Sequence, residues 1–320
     1  LERIAKEAYE GNTPFEPFIE TLPGKTYIGR LDEGPTGAFK DYAAQVLFRV
    51  IEVLMKQGDT EIVGLEKIAH QKYTQANRLG RLGLAYASAF PKLIKSDVDF
   101  RKKFTETDLL TWITSTSGDT GGAMGHAVLG IDRMMMFILH SADIGKEISD
   151  LQAKIMSTLG KNTYSIWERT DFDGCQQTAQ DLLKDPELKY MNLNSANSIN
   201  IGRLLPQIAY YFHIYSRLAK TLGEEIYFSV PSGNFGDAVA GLFAIRMGLP
   251  IKLIIGVNEN DVFARFYNTG VYAPASETHS SPSNSMNVNW PSNIRRLFQL
   301  YFGQLIEGKD PDKPKRKKIG

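Results

Sequence analysis

Lys40 is the residue whose surroundings first suggest chemistry, because it follows a glycine-rich turn. Gly34-Pro35 and Gly37 punctuate that turn, and apolar residues then recur at helical spacing from Ala43 to Leu54. Lys40 therefore lies in the first turn of a predicted helix, where the helix dipole slightly disfavours a cation. Most lysines in such a setting are ordinary surface residues, so other motifs must decide whether this one does chemistry.

Two later stretches share one construction, in which an apolar run leads through a Gly- and Ser-rich loop into a helix of small residues. The first loop contains Ser117-Gly118-Asp119-Thr120, and the second contains Ser232-Gly233-Asn234-Phe235-Gly236-Asp237. This construction aims backbone N–H groups and a helix N-terminus at an anion. Two such cradles and a loop lysine indicate a phosphorylated cofactor that also needs an amine, and pyridoxal phosphate is such a cofactor.

Four motifs, in this order, resemble those of the threonine synthase family, whose members are pyridoxal-phosphate enzymes of the tryptophan-synthase-β-like fold, fold type II. The motifs are GPTGAFKD at 34–41, TSGDTGGA at 116–123, NSANSINIGR at 194–203 and PSGNFGD at 231–237. The resemblance extends from Gly34 to Leu300. It implies an α/β fold of two domains, with open, mostly parallel sheets covered by helices.

The resemblance also implies a role for each candidate site residue. Lys40 would bind the cofactor as a Schiff base and serve as the general base. Arg203 would bind a substrate phosphate bidentately through its planar guanidinium group. The Ser117-Gly118-Asp119-Thr120 loop would receive the substrate carboxylate, with Asp119 near the cofactor's ring hydroxyl. The implied cofactor-binding residues are Lys40, Asp119, Ser232, Gly233, Asn234, Phe235, Gly236 and Asp237. The implied substrate-binding residues are Ser117, Gly118, Asp119, Thr120, Asn197, Ser198, Arg203 and Asn234.

The implied reaction converts O-phospho-L-homoserine and water into L-threonine and phosphate, by γ-elimination and β-addition of water. Two alternatives stay open: a related lyase or dehydratase acting on another hydroxy- or phospho-amino acid, and a catalytically silent relative kept for binding. Lys40 argues against the silent relative. Asn197, Ser198 and Arg203 favour a phosphorylated substrate over that of a serine-type dehydratase, which needs no phosphate site.

The composition sets limits on partners and compartment. The chain has 320 residues, of which 42% are hydrophobic and 23% charged, as in a typical globular protein. A net charge of +1 gives no general attraction for nucleic acid, and no apolar run approaches a membrane span. The single cysteine, Cys175, excludes an intrachain disulfide and a cysteine-based metal site. Together with the resemblance, which implies an enzyme with a small-molecule substrate, these limits lead us to expect a cytoplasmic protein, monomeric or homodimeric, with no metal, nucleic acid or membrane.

Strands and helices alternate along the chain after Asp119, which indicates parallel sheets with crossover helices. The predicted strands cover 109–113, 134–139, 163–166, 226–230 and 251–256, and the predicted helices cover 123–130, 148–159, 175–183, 201–219 and 238–247. Before the lysine turn we expect a helix at 4–9, a loop at 11–17 and a connector. The Met134–Met136 run is predicted to be core.

The predicted domain organisation assigns three segments of the chain to two domains. We expect a larger cofactor-binding domain from residues 1–112 and 204–320, and a smaller substrate-side domain from 113–203. A helical segment at about 58–108 is additional to the family pattern, and we interpret it as surface elaboration or an oligomer contact rather than a lid or a partner site. The basic tail at 309–320 is interpreted as a solvated terminus.

Overall fold

The computed structural model describes residues 2–9, 18–58, 109–145, 147–273 and 278–302. The predictions for the loop at 11–17, for the additional segment beyond Gly58 and for the basic tail fall outside these residues. The chain divides into two compact units, Leu1–Arg203 and Leu204–Gly320. The grouping predicted from the sequence, which joins 1–112 to 204–320, differs from this division and stays a prediction. Within the described part of the chain, none of the helices is long and apolar enough to cross a bilayer.

The first unit begins with a helix and a hairpin that precede the lysine turn. These elements are α1 (Glu2–Tyr9), β1 (Phe18–Leu22), β2 (Thr26–Arg30) and α2 (Lys40–Gly58). The two strands pair antiparallel, so the predicted connector is wrong here. Their turn contains Gly24 and Lys25, both with positive φ, a conformation that glycine adopts without strain. The predicted helix at 4–9 is confirmed, and it packs against α2.

A four-stranded parallel sheet forms the centre of the first unit. Its strands are β3 (Leu110–Thr116), β4 (Met134–Ser141), β5 (Thr163–Glu168) and β6 (Leu193–Ser195), in the order β5–β4–β3–β6. All three neighbouring pairs are parallel. Every residue of β4 is buried, which explains why this strand is a continuous apolar run.

Helices cover both faces of this sheet. They are α3 (Asp119–Val128), α4 (Asp150–Thr158) and α5 (Phe172–Lys184), which follow β3, β4 and β5 in turn. Met136 packs in a cluster with side chains of α2, α3 and α4, whereas Met135 and Phe137 pack in a cluster with α5. The strand therefore sends alternate side chains to opposite faces. The predicted strand–helix alternation and the core position of the methionines are confirmed.

The second unit contains a parallel strand–helix–strand arrangement. It begins at the last residue of the short helix α6 (Ile201–Leu204) and continues with α7 (Ile208–Leu218), β7 (Ile226–Pro231), α8 (Gly236–Arg246), β8 (Ile251–Gly256), α9 (Val262–Thr269) and α10 (Ile294–Phe302). Strands β7 and β8 pair parallel. The single helix predicted over 201–219 is wrong, because a 3-10 turn at Leu205–Gln207 interrupts it. Pro206 explains the break, since proline lacks the N–H that a continuous helix needs.

Candidate active site

The turn before Lys40 is closed by its own backbone and by the next residue, Asp41. The Gly37 N–H donates to the Gly34 carbonyl at 3.0 Å. The Asp41 carboxylate, 0% exposed, accepts from the Thr36 N–H at 2.9 Å and from the Thr36 hydroxyl at 2.7 Å. A Cβ on Gly34 would lie 2.5 Å from Asp41 Oδ2, so only glycine fits there. Asp41 thus fixes the loop that carries Lys40, a role that the sequence did not reveal.

Lys40 and Asp119 form the central contact of this site. Lys40 Nζ lies 3.2 Å from Asp119 Oδ2, and the two side chains are 15% and 29% exposed. The same Nζ lies 4.3 Å from the centre of the Phe39 ring. The structure therefore brings together two of the predicted site residues from separate motifs, at the C-terminal end of β3 where ligands of parallel sheets bind.

The loop between β3 and α3 is shaped by Thr116. Its Oγ1 accepts hydrogen bonds from the N–H groups of Gly118 and Gly121, both at 2.9 Å. Gly118 has φ 129°, a conformation that side chains rarely adopt, and it precedes α3 without providing a capping side chain. Ser117 and Thr120 are half-buried in this loop. The use of these residues for a substrate carboxylate stays a prediction.

The other oxygen of Asp119 is held from α4 by Gln152. Asp119 Oδ1 accepts from Gln152 Nε2 at 2.7 Å. Gln152 Oε1 accepts in turn from the N–H of Ser149 at 3.1 Å and from its hydroxyl at 3.0 Å. Ser149 and Gln152 form the capping box of α4. The spacing of this box was visible in the sequence, but the contact with Asp119 was not.

Two residues of the predicted phosphate-binding segment after β6 form hydrogen bonds with the protein's own backbone. Asn197 Oδ1 accepts from the Ser115 N–H at 3.1 Å, and its Nδ2 donates to the Ser115 carbonyl at 2.9 Å. Arg203 is only 2% exposed, and its guanidinium donates to the Ala196 carbonyl at 3.0 Å. Ser198 is half-buried. The amide of Asn197 ties β6 to β3, and the binding of a phosphate by these three residues stays a prediction.

In the second unit, the loop from Ser232 to Phe235 leads directly into α8, whose first residues are Gly236 and Asp237. Phe235 holds the N-cap position with φ 60°, and its apolar side chain cannot cap the helix. The first N–H groups of α8 thus depend on other acceptors, which is the usual basis of an anion cradle. A Cβ on Gly233 would lie 2.7 Å from the Met286 Cα, so the backbone of the 284–286 turn occupies the space that a side chain at position 233 would need.

Asn234, also in this loop, is fixed by two residues that the sequence did not assign. Its Oδ1 accepts from the Ser292 N–H at 3.1 Å, and its carbonyl accepts from Asn293 Nδ2 at 3.0 Å. Asn293 is fully buried. The shape of the cradle is therefore set by a segment almost sixty residues further along the chain.

Comparison with known proteins supports the assignment of the fold. No protein-family model matches the chain. The threonine synthase of Haemophilus influenzae is 43% identical over 303 residues, which cover 94% of this chain and 58% of that protein. The crystal structure of threonine synthase from Escherichia coli matches with a TM-score of 0.70 and 32% identity, over 95% of this chain and 59% of that chain. A threonine synthase from Brucella melitensis with bound pyridoxal phosphate matches with a TM-score of 0.69 and 30% identity, over 94% and 55%.

These matches, with the parallel sheets and loop-to-helix turns, define the fold as that of the fold type II pyridoxal-phosphate family. Within that class, the chain belongs to the threonine synthase family. The chain spans about half the length of the curated relatives it matches.

Proposed function

We propose that this protein is a pyridoxal-phosphate-dependent carbon–oxygen lyase that converts O-phospho-L-homoserine and water into L-threonine and phosphate. The observation that carries the proposal is the Lys40–Asp119 pair, with 3.2 Å between Nζ and Oδ2 at the start of α3. Membership of the threonine synthase family supports it, as does the pyridoxal phosphate bound in the Brucella melitensis relative.

The residues present are chemically suited to the two reactive groups of the cofactor, its carbonyl group and its phosphate. Lys40 offers a half-buried primary amine for the carbonyl group, and Asp119 holds that amine in one place. The cradle before α8 would offer backbone N–H groups to a phosphate. When bound, the cofactor supplies an electron sink for negative charge at the substrate carbons.

The protein's own part in the proposed reaction is to position groups and to move protons. Lys40 would take the proton from the substrate α-carbon as general base. Asp119 would hold the Lys40 side chain in the productive arrangement. Less conformational entropy would then be lost on reaching the transition state, which raises the rate. The α3 N-terminus with Ser117 and Thr120 would receive the substrate carboxylate. Arg203 would hold the leaving phosphate in a setting that excludes water, where a charge-assisted bidentate contact is strongest.

The proposal is tested by incubating the purified protein with pyridoxal phosphate and O-phosphohomoserine and measuring phosphate, threonine and 2-oxo acid. We expect phosphate and threonine in equal amounts, and neither product from Lys40→Ala. A 2-oxo acid in place of threonine would favour a lyase that eliminates without adding water. Normal cofactor binding with no product at all would favour the silent relative.

A further inference from the structure

Gln152 faces two different partners with the two ends of its amide group. Its Oε1 accepts from the Ser149 N–H and hydroxyl, at 3.1 and 3.0 Å. These two donors require an acceptor, so the oxygen end must face Ser149 and the NH₂ end must face away from it. That NH₂ lies 2.7 Å from Asp119 Oδ1. The cap of α4 therefore decides which atom Gln152 presents to Asp119.

Gly118 makes room for this contact. A Cβ on Gly118 would lie 2.3 Å from the amide carbon of Gln152, far inside van der Waals contact. Any side chain at position 118 would push Gln152 away from Asp119. The glycine before α3 therefore serves the approach of Gln152 as well as the left-handed turn at φ 129°.

We propose that Gln152 is the positioning residue for Asp119: it binds Oδ1 of the carboxylate so that Oδ2 faces Lys40 Nζ. A carboxylate bound at one oxygen cannot rotate freely about its Cβ–Cγ bond, so the second oxygen keeps a fixed direction. The contacts form one series from Ser149 through Gln152 and Asp119 to Lys40. This inference rests on the proposed function, because that function gives the Lys40–Asp119 pair its use.

Gln152→Glu separates the two roles of the side chain. Glutamate accepts from Ser149 as glutamine does, so the capping box of α4 is kept. Its second oxygen then faces the Asp119 carboxylate without a proton, and the two groups repel unless they share one. We expect an apparent Kd for pyridoxal phosphate raised roughly tenfold or more at pH 8, and a urea midpoint that this repulsion lowers at pH 8 and that returns toward the wild-type value at pH 5. The loss should shrink toward pH 5, where a shared proton restores the contact. The readout is the visible absorbance of the apoprotein titrated with pyridoxal phosphate.

A second substitution tests whether Gln152 acts through Asp119. In Asp119→Asn combined with Gln152→Glu, the donor and the acceptor exchange places, so the contact can form again. We expect the double variant to bind pyridoxal phosphate more tightly than the product of the two single losses predicts. If the glutamate variant does not fold, Gln152→Met should raise the Kd at pH 8 without recovery at pH 5.

Gln177→Glu is the matched control. Gln177 Nε2 donates to Asp181 Oδ1 at 2.8 Å on the exposed side of α5, so the same chemical change occurs away from Lys40. Its Kd should equal that of the wild type at both pH values. A wild-type Kd for the Gln152 variants at pH 8, or additive losses in the double variant, would overturn the inference while leaving the proposed function intact. Failure of the wild-type protein to bind pyridoxal phosphate would instead refute the proposed function and this inference with it.

Discussion

Asn162 contacts the backbone of the loop between α3 and β4 through its buried side-chain amide. Its side chain, 1% exposed, donates through Nδ2 to the carbonyls of Val128, Ile131 and Met134 at 2.9, 3.2 and 3.0 Å. Its Oδ1 accepts from the Gly130 N–H at 2.8 Å. One amide thus contacts four backbone groups where α3 ends and β4 begins, with its two N–H donors shared among three carbonyls.

Asn162→Ala removes all four contacts, and the Val128 carbonyl keeps its hydrogen bond from the Ile131 N–H at 3.1 Å. Each buried group left unsatisfied costs about 1–3 kcal/mol, and these costs overlap because the backbone relaxes and water enters. We expect the free energy of unfolding to fall by about 3–5 kcal/mol, a large part of the roughly 5–15 kcal/mol of a folded domain. Urea unfolding at pH 7 measures this change.

Two further variants make the Asn162 test specific. Asn162→Asp keeps the shape but sets a carboxylate against three carbonyl oxygens, so we expect an equal or larger loss at pH 7 that lessens in acid. Asn194→Ala is the control, because Asn194 donates one exposed hydrogen bond to the Asn192 carbonyl and should cost less than about 1 kcal/mol. A loss for Asn162→Ala no greater than that of Asn194→Ala would refute the reasoning.

Three other predictions concern a carboxyl group, a glycine and the proposed phosphate residue. Burial, followed by the nearby charges of Asp171 and Glu147, raises the pKa of Asp173 to about 6. The folded protein therefore keeps the Asp173 proton at pH values where the unfolded chain has lost it, so the free energy of unfolding falls as the pH rises from about 4 to 6. Asp173→Asn should therefore be more stable than the wild type by about 1 kcal/mol at pH 7, after discounting for solvent screening, and equal to it near pH 3.5 in urea unfolding. Gly34→Ala should cost about 1–3 kcal/mol by the same method, because its Cβ displaces the Asp41 carboxylate, and a neutral result would contradict the loop geometry. Arg203→Ala should lower kcat/KM for O-phosphohomoserine at least about tenfold with an unchanged cofactor spectrum, and Arg203→Lys should recover little; normal turnover by the alanine variant would remove the phosphate role.

The parts of the fold that could be predicted are those whose signal is local. The run from Met134 to Leu139 is apolar at every position, which only a strand buried on both faces explains well. The turn at Gly118 likewise carries its own signal in the Ser-Gly-Asp sequence. The break at Pro206 was equally local, and it was missed because the apolar spacing continues on both sides of the proline.

The parts that could not be predicted depend on contacts between distant segments. Asp119 meets Gln152 across 33 residues, and Asn197 meets Ser115 across 82. Spacing within a motif cannot show that the side-chain amide of Asn197 is hydrogen-bonded to the backbone of β3. The hairpin before α2 was missed for a different reason, since its strand residues show little alternation between apolar and polar types.

The central claim is that Lys40 binds pyridoxal phosphate, and the most direct test is to reduce the loaded protein with borohydride and map the labelled peptide. We expect the pyridoxyl group on Lys40 alone, and no label in Lys40→Arg, which keeps the cation beside Asp119 but cannot form the bond. A label on any other lysine, or full labelling of the arginine variant, would contradict the account.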